Sequence, residues 1–340
     1  MKMRPAGATG CRVAAAWLVA AAAGLLACAP EPASNKISLR VAPRLSSFVA
    51  YLAADAGYFA AEGLDVELLP FDSPDTVIPL LALGDLDVST VWRLDPAYIN
   101  LIARGGRIRL VEANMVYAPG ECGYSAFQAR PELIDSGRLA RPADLRGLRI
   151  TTERASTSYY VWARLLAQAG LTLRDVETVD VPSVARDDAF AKGLIDVSTT
   201  TEPARTRLVR SGHARVWMPV ADILPGFQSG FVVFGRRLLD ERRDLGVRFL
   251  RAYQRAIRDY LEQGQSERLL AIVSAHTQIE PRELKEMCWP SFSPDGVVDR
   301  ATIDDFERWA HAEGLIDSVL PLESIFDPGF LREAAGNEAR

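Results

Sequence analysis

Two carboxylates stand in near copies of one heptapeptide: Asp87 in GDLDVST (84–90) and Asp196 in GLIDVST (193–199), 109 residues further on. A carboxylate pair brought together can share general acid and base work. Each of these, however, follows a glycine where a helix would end and opens a short strand pattern, so turn and strand-start chemistry accounts for it without catalysis. Other reactive groups are sparse. The three histidines, His213, His276 and His311, are neither four residues apart nor beside a cysteine pair, and this spacing offers no metal site. No nucleophile elbow, dinucleotide fingerprint or phosphate loop occurs. Neither a catalytic residue nor a cofactor is expected.

The elements around the heptapeptides repeat as well. ISLRV (37–41) alternates as a strand, FVAYLAADAGYF (48–59) has apolar residues at helical spacing, and LDVELLPF (64–71) is a second strand. TVIPLLALG (76–84) then reads as a helix ended by Gly84, and DLDVSTV as a third strand. The second copy has the same plan: strand 145–153, helix 156–171, strand 176–183, helix 184–193 and strand 194–203. Two βαβαβ units imply two α/β lobes built on mainly parallel sheets. SGFVVFG (229–235) adds a strand, and the segment 245–264 a helix whose buried face holds Val247, Leu250, Tyr253, Ile257 and Tyr260 or Leu261. The helical remainder suggests no third lobe and is expected to pack on the first. That gives lobe one as 37–125 with 232–340, lobe two as 126–231, and a hinge near 124–129 and 229–234.

In open parallel sheets ligands bind at the carboxyl ends of the strands. The loops there are rich in hydroxyls, aromatics and arginine: Arg44, Ser46, Ser47 and Phe48; Thr90, Trp92 and Arg93; Arg154, Ser156, Thr157 and Tyr159; Thr201 and Glu202. Phe227 joins them as a further apolar group. Arg44, Arg93 and Arg154 suit a sulfonate or carboxylate, whereas Phe48, Trp92, Tyr159 and Phe227 suit an apolar or aromatic body. Ser156 or Thr157 is also a natural N-cap, and Trp92 reads equally as core.

Residues 1–27 form a basic start followed by the apolar run VAAAWLVAAAAGLLA, the pattern of a signal peptide and too short for a membrane span. It ends in Leu25-Leu26-Ala27-Cys28, the arrangement of a bacterial lipobox, so Cys28 is the expected lipidation site and 28–36 a tether. The expected location is the periplasm or cell envelope, held to a membrane through that lipid alone. Cys122 and Cys288 are either a disulfide or two separate buried thiols. The chain sums to −5, and because residues 1–27 hold Lys2, Arg4 and Arg12 with no acid, the remainder sums to −8. Such a balance argues against nucleic acid as a partner.

The set Gly57-Tyr58-Phe59, Gly63-Leu64-Asp65-Val66, Gly84-Asp85-Leu86-Asp87-Val88, Asp144-Leu145-Arg146-Gly147, Gly193-Leu194-Ile195-Asp196-Val197 and Glu202-Pro203 resembles the periplasmic solute-binding proteins of bacterial ABC importers. The branch it resembles binds alkanesulfonates, taurine, nitrate and pyrimidine precursors of thiamine. The resemblance implies a two-lobed type II binding-protein fold, a monomer that closes on a small-molecule ligand, and a membrane permease as partner. It also implies ligand contacts around Ser46 to Phe48, Thr90 to Trp92, Ser156 to Tyr159 and Thr201 with Glu202. The bulky Val91-Trp92-Arg93 departs from the small turn usual in the family and argues against nitrate. The cysteine-rich cluster of the family's histidine-consuming enzymes is missing. An envelope sensor or carrier on the same scaffold is the alternative, and an enzyme is disfavoured because no nucleophile–base pair is present.

Overall fold

The structure is a computed structural model and describes residues 34–71, 77–120, 122–154 and 156–336, without the side chains of Val91 and Trp92. The proposed signal peptide and Cys28 lie outside the described residues. The first sheet takes strands β1 (Lys36–Val41), β2 (Asp65–Pro70), β3 (Val88–Trp92) and β4 (Arg109–Ala113). After the short β5 (Met115–Val116) the chain enters a second sheet through β6 (Ser125–Ala129), followed by β7 (Arg149–Thr151), β8 (Glu177–Val179), β9 (Val197–Thr201) and β10 (Arg215–Pro219). It returns to the first sheet at β11 (Phe231–Phe234), and a last short strand, β12 (Ser291–Phe292), pairs with β5.

The strand orders are β2-β1-β3-β11-β4 and β10-β6-β9-β7-β8. In each sheet three parallel strands meet one antiparallel strand, and that strand is where the chain has just crossed over: β6 beside β9, β11 beside β3. The registers correspond too, with Leu39 opposite Val88 in one sheet and Ile150 opposite Val197 in the other.

Period-two alternation buries both faces of the first sheet. Val232 and Phe234 of β11 join a core with Phe48 and with Phe249 and Leu250 of the helix Arg243–Gln263. Phe231 and Val233 join the opposite core, with Tyr98, Ile303 and Phe306. In the second sheet Phe127, Ile150 and Val197 pack against Trp162 and Leu165 of the helix Thr157–Gln168. The segment 245–264 is helical as expected; Tyr260 packs on the first core while Leu261 is 47% exposed. Within 48–59 Gly57 is the stop signal: its left-handed φ of 74° ends Phe48–Asp55 before Tyr58–Ala61 begins. The strand expected over 145–153 is confined to Arg149–Thr151, since Pro142–Leu145 winds into a 3-10 turn ahead of it. Cys122 and Cys288 form a disulfide with Cα atoms 5.5 Å apart. Among the described residues no helix is long and apolar enough to cross a membrane.

Candidate functional site

A chamber of about 320 Å³ lies where the carboxyl ends of the parallel strands of both sheets converge. The first sheet contributes Arg44 after β1 and Arg93 after β3; the second contributes Thr152 after β7, Asp180 after β8 and Thr199 to Thr201 on β9. Tyr124 and Ser125, at the start of the entering strand, and Ser229, just before the returning one, complete the wall.

The helix Thr157–Gln168 begins at this wall. Its N-cap Ser156 accepts a hydrogen bond from the Tyr159 amide at 3.2 Å and donates to the Glu153 carbonyl at 2.6 Å. Thr157 Oγ1 donates to the Leu94 carbonyl at 2.9 Å, tying the helix to the loop after β3. The first turn of a helix carries unsatisfied N–H groups and partial positive charge, a receptor for an anionic or carbonyl group.

Positive charge dominates the chamber. Exposed Arg44 and Arg93 have no carboxylate partner among the described residues. Arg186 is fixed by two backbone carbonyls, Nε donating to Val181 at 3.2 Å and Nη1 to Thr199 at 2.8 Å. Burial pulls its pKa below the ordinary arginine value, against the opposing charges of Asp180 and Glu153. Three guanidinium groups thus face two carboxylates, Glu153 and Asp180. The hydroxyls of Thr152 and Thr199, with 8% and 9% of their residue surfaces exposed, have no hydrogen-bond partner among the described residues. A buried hydroxyl left unpaired costs about 1–3 kcal/mol, so both favour a polar occupant. Chemically the chamber offers donors for an oxyanion; among the described residues no cluster suited to a metal occurs.

Of the residues singled out from sequence, Arg44, Ser156, Thr157 and Thr201 line this chamber, and Arg93 with them. The others, Trp92 apart, lie elsewhere. Ser46 and Ser47 are buried in a 3-10 turn, and Phe48 is core, packed edge-on against Tyr260, Trp289 and Phe292 at 4.7, 4.9 and 5.2 Å. Thr90 is fully buried on β3. Trp92 ends β3, and its side chain lies outside what the structure describes. Arg154 is exposed outside the lining, and Tyr159 tilts against Trp309 at 5.7 Å. Phe227 stacks on Tyr117 at 5.9 Å. Glu202 is buried and occupied: it accepts from the Thr206 amide at 3.0 Å, the Thr206 hydroxyl at 2.9 Å and the Cys288 amide at 3.1 Å, and pairs with Arg205 at 3.2 Å. Arg186 and Thr152 were not legible as site residues. Arg186 sits in a segment whose pattern says only "helix", and nothing in it marks a guanidinium folding back over β9.

Paired α/β sheets, matched crossovers and a polar chamber between strand ends define the two-lobed fold of periplasmic binding proteins. Residues 46–266 match the family model described as NMT1/THI5 like, and the chain belongs to that family. A putative aliphatic sulfonates-binding protein of Escherichia coli is 23% identical over 214 residues, 62% of this chain and 61% of that protein. The match therefore spans less than two thirds of that relative's length. Among solved structures, the ligand-binding component of an ABC-type import system from Staphylococcus aureus superposes with a TM-score of 0.68 at 14% identity, covering 88% of this chain and 98% of that one. The desulfurization enzyme DSZB shares the fold at a TM-score of 0.63 and 16% identity, over 90% and 99% of the two chains. The fold alone therefore does not separate binding from catalysis.

Proposed function

We propose that the protein is the solute-binding component of an ABC importer, anchored to a membrane through lipid on Cys28, which captures a small organic anion and passes it to a permease. The observation that carries this reading is the chamber itself: Arg44 and Arg93 without carboxylate partners and two threonine hydroxyls without hydrogen-bond partners among the described residues, a backbone-fixed Arg186 and a helix N-terminus converge on one space. Such donors suit a sulfonate or carboxylate better than a neutral pyrimidine-like ring, for which so much positive charge has no use. The relative's sulfonate-binding name and the neighbour's role in import support the same class. Ligand capture works by hinge closure at the two crossings, near 124–129 and 229–234, in a monomer.

Isothermal calorimetry with sulfonates, carboxylates, nitrate and pyrimidines tests the reading. The expected result is saturable binding of an organic sulfonate or carboxylate, weakened at least about tenfold by Arg93→Ala. Binding of neutral pyrimidines alone, or turnover of a bound sulfonate, would overturn it. Acyl labelling in cells tests the anchor separately: label that persists in Cys28→Ala removes it.

A further inference from the structure

Away from the chamber, Glu112 on β4 is wholly buried, and neither of its carboxyl oxygens has a hydrogen-bond partner among the described residues. Burial pushes its pKa from an ordinary 4.5 up to about 8, against the opposing influence of the Gln254 side chain. Val232 lies opposite it on β11, and Tyr253 and Gln254 face it from the helix Arg243–Gln263. The Tyr253 hydroxyl is taken up by Asn114 Nδ2 at 3.0 Å, and Gln254 Nε2 is itself unpaired among the described residues. Charged groups stand farther out. Arg251 pairs with Glu62, Asp295 accepts from the Ser293 hydroxyl and the Val297 amide, and both line a pocket beyond Gln254 together with Arg258.

Over the carboxyl lies the loop 293–299. Gly296 is pressed against it: a Cβ there would stand 2.7 Å from Glu112 Cγ and 2.6 Å from Gln254 Nε2, so the loop closes only with glycine at that place. The same loop fastens both connections between the sheets, the run 114–124 that leaves the first and the run 220–230 that returns to it. At the root of the outgoing run, the Ser293 amide donates to the Asn114 carbonyl at 2.7 Å and the Ala113 amide to the Gly296 carbonyl at 2.9 Å. On the returning run, Gln228 donates to the Val297 carbonyl at 2.6 Å and accepts from the Asp299 amide at 2.7 Å.

We propose that the loop 293–299 is a proton-operated clasp on the two connections between the sheets, closed while Glu112 carries its proton and released when that proton leaves. A carboxylate in this position needs water. The pocket of about 260 Å³ beyond Gln254, lined by Pro294 and Asp295, is the nearby source of it. Lifting Gly296 admits that water and breaks the bonds from Gly296 and Val297 to the two runs. With the loop lifted the carboxyl returns to its ordinary 4.5, whereas under the closed loop it keeps its proton up to about 8. Closure is therefore favoured by acid and is lost progressively as pH rises between those two values. The clasp goes beyond ligand capture and does not depend on which ligand is bound.

Hydrogen exchange on the full chain without ligand, compared at each pH with Glu112→Gln, tests it. The variant's amide is a neutral match for the protonated acid and keeps the fold, and the comparison cancels the intrinsic pH dependence of exchange. Relative to the variant, the wild-type Ser293 and Asp299 amides are expected to exchange faster by about tenfold per pH unit between about pH 6 and pH 8, and to level off above that. Amides of β9, in the other sheet, are expected to exchange alike in both proteins. A ratio at Ser293 and Asp299 that stays constant across the range overturns the clasp. So does a rising ratio that β9 shares, because ionisation would then weaken the whole fold and not this loop.

Discussion

The two heptapeptides occupy equivalent places in the two sheets, and comparing them separates what the repeat is for from what the site is for. Asp87 and Asp196 are each 4% exposed. Asp87 accepts from the Ser38 amide on β1 at 2.8 Å, and Asp196 from the Arg149 amide on β7 at 2.8 Å. Each also binds an arginine that follows the strand by which the chain crosses over. Arg237, after β11, lies 2.9 Å from Asp87, and Arg130, after β6, lies 2.7 Å from Asp196. One carboxylate thus ties the first parallel strand of its sheet to the antiparallel crossover strand. The glycines ahead of them, Gly84 at φ 86° and Gly193 at φ 64°, let the helix end and turn into this joint. Just beyond, the copies diverge into Val91-Trp92-Arg93 and Thr200-Thr201-Glu202, where Arg93, Thr200 and Thr201 reach the chamber.

If the joint is structural, removing its carboxylate is costly. Asp196→Ala takes the carboxylate from Arg149 and leaves Arg130 with only the exposed Glu132, and is expected to lower unfolding stability by about 3 kcal/mol in urea titrations, the low end for a broken buried pair because both guanidiniums keep some solvent. Asp87→Ala takes the carboxylate from one arginine, Arg237, which keeps its bond to the Lys36 carbonyl at 3.0 Å, and should cost somewhat less. A loss below about 1 kcal/mol in both would mean that the repeat holds nothing together. The chamber should behave in the opposite way. Arg186→Ala is expected to weaken binding of the best sulfonate or carboxylate by about 2 kcal/mol, read by calorimetry, with a far smaller change in melting temperature. Equal effects on affinity and stability would erase the distinction.

Acid sharpens the comparison further. Burial works to raise the Asp196 pKa, but hydrogen bonds from Arg149 and the charge of Arg130 outweigh it and hold the group below its ordinary 3.8. A carboxylate depressed in the folded state contributes stability above its unfolded pKa and loses it as pH falls through the folded value. The stability gap between wild type and Asp196→Asn should therefore be constant at neutral pH and shrink below pH 3.8. A gap that widens on acidification would refute the assignment.

Much of this joint was legible because it is written in local signals: a helix-ending glycine, an acid and a β-branched strand, twice. The βαβαβ order followed from period and turn residues alone, as did the packing of the 245–264 helix. The chamber was only partly legible. Arg44, Arg93, Ser156, Thr157 and Thr201 stand at strand ends and could be placed by the rule that ligands bind there. Phe48 and Glu202 stand in the same loops yet turn inward, and no pattern of residue types tells a loop side chain which way to face. Arg186 shows the converse, since its position is set by carbonyls on segments from two other elements.

The smallest expected effect separates the chamber from the joint most cleanly. Thr199 lies one residue past Ser198, whose hydroxyl is 2.6 Å from that of Thr151 and belongs to the sheet. The Thr199 hydroxyl has no partner among the described residues, although the residue is 9% exposed. Thr199→Val keeps the β-branched shape and removes only that hydroxyl, so stability should hold or rise slightly, because an unpaired buried polar group is lost. If the hydroxyl is there for a ligand, the same change lowers affinity for the best-bound organic anion by about 1 kcal/mol, a fivefold rise in Kd by calorimetry. Thr151→Val gives the opposite pattern, because it leaves Ser198 without its partner: a loss of stability and no direct loss of affinity. If Thr199→Val loses stability and keeps its affinity, the hydroxyl belongs to the scaffold, and the chamber is held by its arginines and helix terminus alone.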